Sequence, residues 1–431
     1  MEEEEKRKKE KEEDEDEGRI KKEEEEERIK MEEEEKRKKE KEEEEFRMKY
    51  QKEEKEKKEI KKEENNQKEY LAEQNQECKD KLSRRLNMKF DRELCDKIIS
   101  SLPKREKTNL NKFKNIIKSK TKDLTEIERA FVIFKWMGQN INYDVKNKNA
   151  GKRVDCSKEG VFRTGKTVCS GYSNLYEDIA IYLNLEVKSI SCYAKGAGYT
   201  PGKKIHASEI NHEINVIKLD DKWYHIDSTW GAGHSNGNEY IREFNEFYFL
   251  PDPELLIRSH FPSNENWQLT KNIYTLNEFE KWPQIYSNFY QCGFGKYFPE
   301  EGYFELKDSN TKKFIIYGEN IKEKGLMCYI YLLNNKKDNK KKEKDLSLIN
   351  FYNDKIEIDC IINKKGKYKI DFFGNKGDSS INSSVLLYVV NVVNDAKIPL
   401  SYPKTLSRNK SINIIEPLYD KLKSGEKLNL I

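Results

Sequence analysis

Residues 1 to about 65 are almost entirely Glu, Lys, Arg and Asp. A stretch of that composition has no apolar face to bury, so it cannot join a globular core. Its segment MEEEEKRKKEKEE begins at residue 1 and recurs unchanged at residue 31. Glu and Lys are strong helix formers, and many pair at i,i+4. The expected state is a long solvated helix of about 100 Å at the helical rise per residue. A disordered charged tail is the alternative. The few apolar residues (Ile20, Ile29, Met31, Phe46, Met48) sustain no heptad, so a strict coiled coil is unsupported.

All tertiary structure must therefore come from about residue 86 onward, a length that suits about two domains. Two amphipathic helical patterns over 86–120 break at Leu102-Pro103. Next comes LTEIERAFVIFKWMGQNINYD, where Leu124, Ile127, Ala130, Phe131, Phe134 and Met137 recur at helical spacing. Thr125 with Glu128 reads as a capping box. Residues 141–168 read as loop, and 170 to about 184 as a helix with Tyr172, Tyr176, Ile179, Ala180 and Leu183 on one face. Strand-like runs follow: EVKSISCYA, HEINVIKL and KWYHIDSTW. Residues 251–290 are irregular and aromatic-rich. From about 300 to 395, short alternating runs separated by Asn/Gly/Lys turns predict an all-β sandwich or small barrel. Within them, 334–345 reads as a disordered surface loop. The expected organisation is a charged arm (1–85), a mixed domain with preceding helices (86–295), a β-sandwich-like domain (296–396) and a loose tail (397–431).

Composition excludes some function classes. The chain has 83 basic and 79 acidic residues, net +4, without the basic excess of a nucleic-acid binder. The start lacks the apolar stretch of a signal peptide, and no run reaches the roughly 18 apolar residues that span a bilayer. The eight cysteines are scattered, with no CxxC pair, which argues against a structural zinc site and for free thiols in a reducing, cytoplasmic setting. There is no phosphate-cradling Gly-Lys-Ser loop, no HExxH and no GxSxG. No cofactor and no metal site are expected.

Chemistry concentrates at three positions. Cys169 sits in TGKTVCSGYSNLYEDIA, where a loop becomes a helix; unpaired N–H groups and the helix dipole favour a thiolate there. Gly165 and Gly171 leave room for close approach. HEINVIKL and KWYHIDSTW flank Asp220-Asp221, a two-residue hairpin turn. If Leu219 pairs with Lys222, Ile214 falls opposite Asp227 and His212 opposite Thr229. His212 and Asp227 then share a face as diagonal neighbours. An imidazole oriented by a carboxylate is what a thiol nucleophile needs: one ring nitrogen takes the proton while the other is held in the right tautomer. His225, opposite Val216, is the competing base. His206, His234 and His260 read as ordinary surface or structural residues. Trp230, three residues past Asp227, is placed to wall a cleft.

AFVIFKWMGQNINYD, TVCSGYSNLYEDIA, NHEINV and KWYHIDSTWGAG, in that order and spacing, resemble the transglutaminase-like superfamily. The nearest branch is that of kyphoscoliosis peptidase and related cytokinesis scaffolds, to which FYFLPDPELLIRSHFPSNENWQLT and the following β-rich region are also similar. The resemblance covers about 120–395. It implies an α+β, papain/transglutaminase-like core with the nucleophile helix packed against an antiparallel sheet. It implies catalytic Cys169, His212 and Asp227. The family's His-Ala-Trp-Asn box reads His212-Glu213-Ile214-Asn215 here, which alters substrate contacts but not the base. The implied activity is cysteine-peptidase hydrolysis of a protein substrate through an acyl-enzyme. A protein-glutamine transglutaminase is one alternative, for which no calcium site stands out among so many acidic residues. A weakly active or inactive cytoskeletal or cytokinesis scaffold, binding through the β domain or the charged arm, is the other. The absence of paired CxxC motifs counts against a peptide N-glycanase. Neither nucleic acid nor membrane is an expected partner.

Overall fold

The structure is a computed structural model. It describes residues 90–396 except 197, 308–309, 319–324, 334–341, 344–345 and 376–382, together with 402, 414–416 and 429–430. The charged arm, most of the 334–345 loop and most of the C-terminal tail lie outside the described residues. Of that tail, Ile414–Glu416 and Asn429–Leu430 form an antiparallel pair.

Three helices open the core: α1 (Arg92–Ser101), α2 (Leu110–Lys120) and α3 (Glu126–Asn140). Asp91, Asn109 and Thr125 cap them, each side chain accepting an otherwise orphaned backbone N–H. At α3 the capping box is complete, since the Glu128 carboxylate also accepts from the Thr125 N–H at 2.9 Å. Leu124, Ala130, Phe131, Phe134 and Met137, five of the six positions spaced helically in the sequence, are buried.

The segment expected to be loop is more ordered. Residues 141–168 contain β1 (Asn142–Tyr143), α4 (Val145–Asn149), α5 (Lys158–Thr164) and β2 (Lys166–Thr167), with β1 and β2 paired in parallel. Asp144 and Ser157 cap the two short helices. Helix α6 (Cys169–Tyr182) follows, and Tyr172, Tyr176, Ile179 and Ala180 are fully buried. Those phenols are not stranded: Tyr172 donates to the Ile141 carbonyl at 2.8 Å and Tyr176 to that of Ala130 at 3.2 Å.

Helix α6 packs on an antiparallel sheet of β3 (Glu186–Ala194), β4 (His212–Leu219) and β5 (Lys222–Ile226). After it come a short helix α7 (Ser228–Ala232) and a small hairpin of β6 (Gly233–Ser235) and β7 (Tyr240–Arg242). A three-residue strand, β8 (His260–Pro262), pairs with β3 and completes the order β5-β4-β3-β8.

The rest of the described chain is β-rich. One sheet has the order β10 (Phe294–Phe298), β12 (Thr311–Gly318), β16 (Lys355–Ile361), β15 (Ser347–Phe351). The other runs β11 (Tyr303–Leu306), β18 (Ser383–Val392), β17 (Gly366–Gly374), β13 (Leu326–Leu332), β14 (Lys342–Glu343), with β9 (Gln284–Ile285) also on β18. The two sheets face each other. Phe314 on β12 lies 4.8 Å from the Tyr388 ring on β18 and 5.4 Å from Phe372 on β17. The Cys328 and Cys360 sulfurs approach to 3.9 Å between the sheets. This is the sandwich the alternating runs predict, joined by four strands that those runs do not mark, β9, β10, β14 and β15, of which β14 falls in the 334–345 stretch read as a loop.

Among the described residues no helix is long and apolar enough to cross a membrane.

Candidate active site

Cys169 is the first residue of α6. The preceding Val168 is extended and offers no side-chain cap, so the first-turn N–H groups keep their field for an anion. Gly171 lets this turn sit tight on β2: a Cβ there would lie 1.9 Å from Thr167 Oγ1.

The β4–β5 hairpin has the predicted register. Asp220 and Asp221 both adopt left-handed φ (47° and 63°), as a two-residue turn of the hairpin hand requires. Leu219 pairs with Lys222 and the ladder runs to Asn215–Ile226. It stops there, one step short of the expected Ile214–Asp227 and His212–Thr229 pairs. Asp227 leaves the strand because it caps α7: its Oδ1 accepts the N–H groups of Thr229 at 2.8 Å and Trp230 at 2.9 Å. Helix α7 is pressed onto α3 at Gly231, where a Cβ would lie 2.4 Å from the Phe134 ring.

The other carboxylate oxygen, Oδ2, accepts from His212 Nε2 at 2.8 Å. A carboxylate can only accept, so Nε2 carries the hydrogen and Nδ1 is the nitrogen left for the thiol. Burial alone pushes the Cys169 thiol up, but its hydrogen bond to His212 and that ring's charge hold it below the ordinary thiol value. The Lys148 ammonium and the Ser170 N–H act in the same direction. Burial disfavours His212's charge, yet Asp227 and Cys169 together raise its pKa to about 10. Burial would raise Asp227 too, but the two imidazoles around it keep its carboxyl well below the carboxylate range. Opposite shifts on a thiol and an imidazole in contact favour passage of the thiol proton to His212.

The competing histidine is committed elsewhere. His225 pairs with Val216 as expected, but its Nε2 donates to the Trp267 carbonyl at 2.8 Å, and burial lowers its pKa to about 4. His206 sits in an exposed loop, and the exposed His234 pairs with Glu243 at 3.3 Å. Trp230 does wall the site, its ring centroid 5.6 Å from that of His212.

His260, which the sequence leaves as an ordinary residue, is not peripheral. It is fully buried, and its Nε2 lies 3.1 Å from Asp227 Oδ2. Its Nδ1 lies 2.8 Å from Ser259 Oγ. No local pattern marks it, because β8 is three residues long and ends in Pro262.

His212, Asp227 and His260 present ligand atoms within 4.8 Å of one another, a spacing that could hold a metal ion. Here both imidazole Nε2 atoms donate to the same carboxylate oxygen, so ligation would require both to give up their hydrogens. The donor set is satisfied by its own hydrogen bonds.

This fold and site define a class. Residues 112–228 match the model of the transglutaminase-like superfamily, and 276–403 match that of the KY-like, immunoglobulin-like domain. The chain thus carries a transglutaminase-like superfamily domain followed by a KY-like immunoglobulin-like domain. Over 268 residues it is 31% identical to kyphoscoliosis peptidase of Mus musculus and, over the same length, 30% identical to that of Homo sapiens. Each match covers 62% of this chain and 38% of the relative. Hillarin of Drosophila melanogaster is 33% identical over 195 residues, 42% of this chain and 23% of that protein. The chain thus spans well under half the length of these relatives.

Proposed function

We propose that this protein performs thiol-dependent amide chemistry as a cysteine peptidase, with Cys169 as nucleophile, His212 as base and Asp227 as orienting acid. One observation carries the reading: a chain of contacts from Asp227 through His212 to a thiol at a helix N-terminus, with the thiol pKa depressed and the imidazole pKa raised.

The Cys169 thiolate attacks the carbonyl carbon of a peptide amide. As the tetrahedral adduct collapses, His212 gives its Nδ1 proton to the leaving amine and a thioester remains. Water then attacks the thioester and His212 takes its proton; the thiolate leaves and the acid product is released. Asp227, fixed through Oδ1 to two backbone N–H groups, keeps the ring in the tautomer both steps need. The name peptidase, carried by the mouse and human relatives, supports hydrolysis over transfer.

The test is iodoacetamide labelling near neutral pH with and without Cys169→Ala, followed by thiol mapping. Cys169 is expected to label first. Reactivity equal to that of the other thiols would remove the enzyme reading and leave a scaffold. If Cys169 is selective, peptide cleavage supports the peptidase, whereas incorporation of a labelled amine into a glutamine peptide, without cleavage, would make the protein a transglutaminase.

A further inference from the structure

The thiol chemistry proposed above assigns no part to the second imidazole on Asp227. We propose that His260 is a positioning residue, whose Nε2–H holds the Asp227 carboxylate in the rotamer that serves His212. The inference rests on the thiol-enzyme reading and deepens it.

Asp227 is anchored at only one of its oxygens by the backbone. Thr229 and Trp230 both bind Oδ1. Rotation about the Cβ–Cγ bond, which would carry Oδ2 away from His212, moves both oxygens together, so the backbone bonds on Oδ1 and the donors on Oδ2 resist it jointly. His260, at 3.1 Å, is the second donor on Oδ2 and opposes the swing.

The tautomer of His260 suits this task. The Asp227 carboxylate can only accept, which puts the ring hydrogen on Nε2; Ser259 Oγ, 2.8 Å from Nδ1 and 3.3 Å from the Leu256 carbonyl, has one hydrogen that can turn to Nδ1. A neutral ring donates to Asp227 without competing as a second cation with His212. Burial disfavours the charged form of His260, and His212's charge adds to that.

The ring is also held in place. Its centroid is 4.3 Å from that of Trp230 and 6.0 Å from that of Tyr248, both edge-on. Its backbone pairs with Ala194 on β3, and the Lys195 N–H donates to the Ser259 carbonyl at 2.9 Å. His212 on β4 pairs with Cys192, also on β3. One central strand thus sets both imidazoles against one carboxylate. The other titratable groups felt by Asp227 or Cys169 are Tyr143, Tyr248, Cys192 and Lys148; none of them is seen to bond Oδ2.

The experiment follows the pH dependence of Cys169 alkylation, a readout that needs no known substrate. His260→Leu is expected to move the acidic limb to higher pH, so that the rate at a fixed pH on that limb falls roughly tenfold, the worth of one hydrogen bond to a charged group. The alkaline plateau, where the thiol is ionised regardless, should stay within about twofold. His260→Gln, which reaches Oδ2 with an N–H donor, is expected to restore the native limb. A folded His260→Leu with the native profile overturns the proposal, as does an equal loss by Leu and Gln at every pH. If His260→Leu does not fold, Ser259→Ala replaces it: its limb should move the same way, and an unmoved limb overturns the proposal. A native protein whose Cys169 is unselective is a different outcome, which removes the thiol-enzyme reading and this role with it.

Discussion

His225 Nε2 donates to the carbonyl oxygen of Trp267 at 2.8 Å, so the second histidine of the hairpin tethers a loop. Asp227, not His225, is the residue after the hairpin turn that bonds His212. His225→Leu is expected to leave Cys169 alkylation unchanged and to cost about 1–3 kcal/mol of stability, because a carbonyl loses its donor. Its titration adds a signature. The folded pKa is near 4, below the unfolded value of about 6.5. The unfolded state therefore binds more protons in that window, and stability is full above it and falls as pH drops through it. Denaturant midpoints between about pH 7 and pH 4 should show this slope, and His225→Leu should flatten it.

Asp227 both caps α7 and orients His212, and two substitutions separate the roles. Asp227→Asn keeps an oxygen for the Thr229 and Trp230 N–H groups but cannot accept from an imidazole through its amide nitrogen. Peptide cleavage should fall by about 10³–10⁴-fold, with a smaller melting loss than that of Asp227→Ala. Asp227→Ala removes the cap as well and should add a loss of about 1 kcal/mol in stability. Equal melting losses for the two variants would contradict this division.

Much of this arrangement is legible in the sequence, and what is not has a common cause. Thr125 with Glu128, and the Asp220-Asp221 turn, announce themselves because their partners lie within a few residues. Register then places His212 near Asp227 on arithmetic alone. The departure at Asp227 was readable too, since an Asp before Ser-Thr-Trp is a helix cap. The short helices α4 and α5 hide in a charged segment, though Asp144 and Ser157 signal their starts. His260 is different. Its strand has no alternation, and its pairing partner β3 lies far upstream in the sequence, so nothing local reports the contact.

The pH dependence of the chemistry follows from the opposed shifts. Cys169 ionises below the ordinary thiol value, and His212 stays protonated to about 10. Selective alkylation of Cys169 should therefore be measurable at a pH below the ordinary thiol value. Peptide cleavage should decline as pH rises through about 10, when His212 no longer holds a proton for the leaving amine. The stability that His212 gains from its partners runs the same way: full below about 6.5, lost as pH rises through about 10. A cleavage rate still climbing above that pH would contradict the assignment.

The hydrogen bonds on Asp227 Oδ2 also bear on metals. Because both Nε2 atoms donate there, chelators are expected to leave Cys169 alkylation and protein stability unchanged. Loss of reactivity on chelation, recovered with zinc, would show that the three ligand atoms hold an ion.

The order of strands in the core sheet has a consequence for how the protein is made. Cys169 leaves the ribosome about ninety residues ahead of His260, an interval of roughly 5–20 s of chain growth. Until β4 pairs with β3 and β5 with β4, His212 and Asp227 are not assembled beside the thiol, and β8, made later, is the last strand to join β3. On the thiol-enzyme reading, the nascent chain is spared that chemistry until the β4–β5 hairpin brings His212 and Asp227 together, and the edge strand that arrives last adds His260 to the finished site.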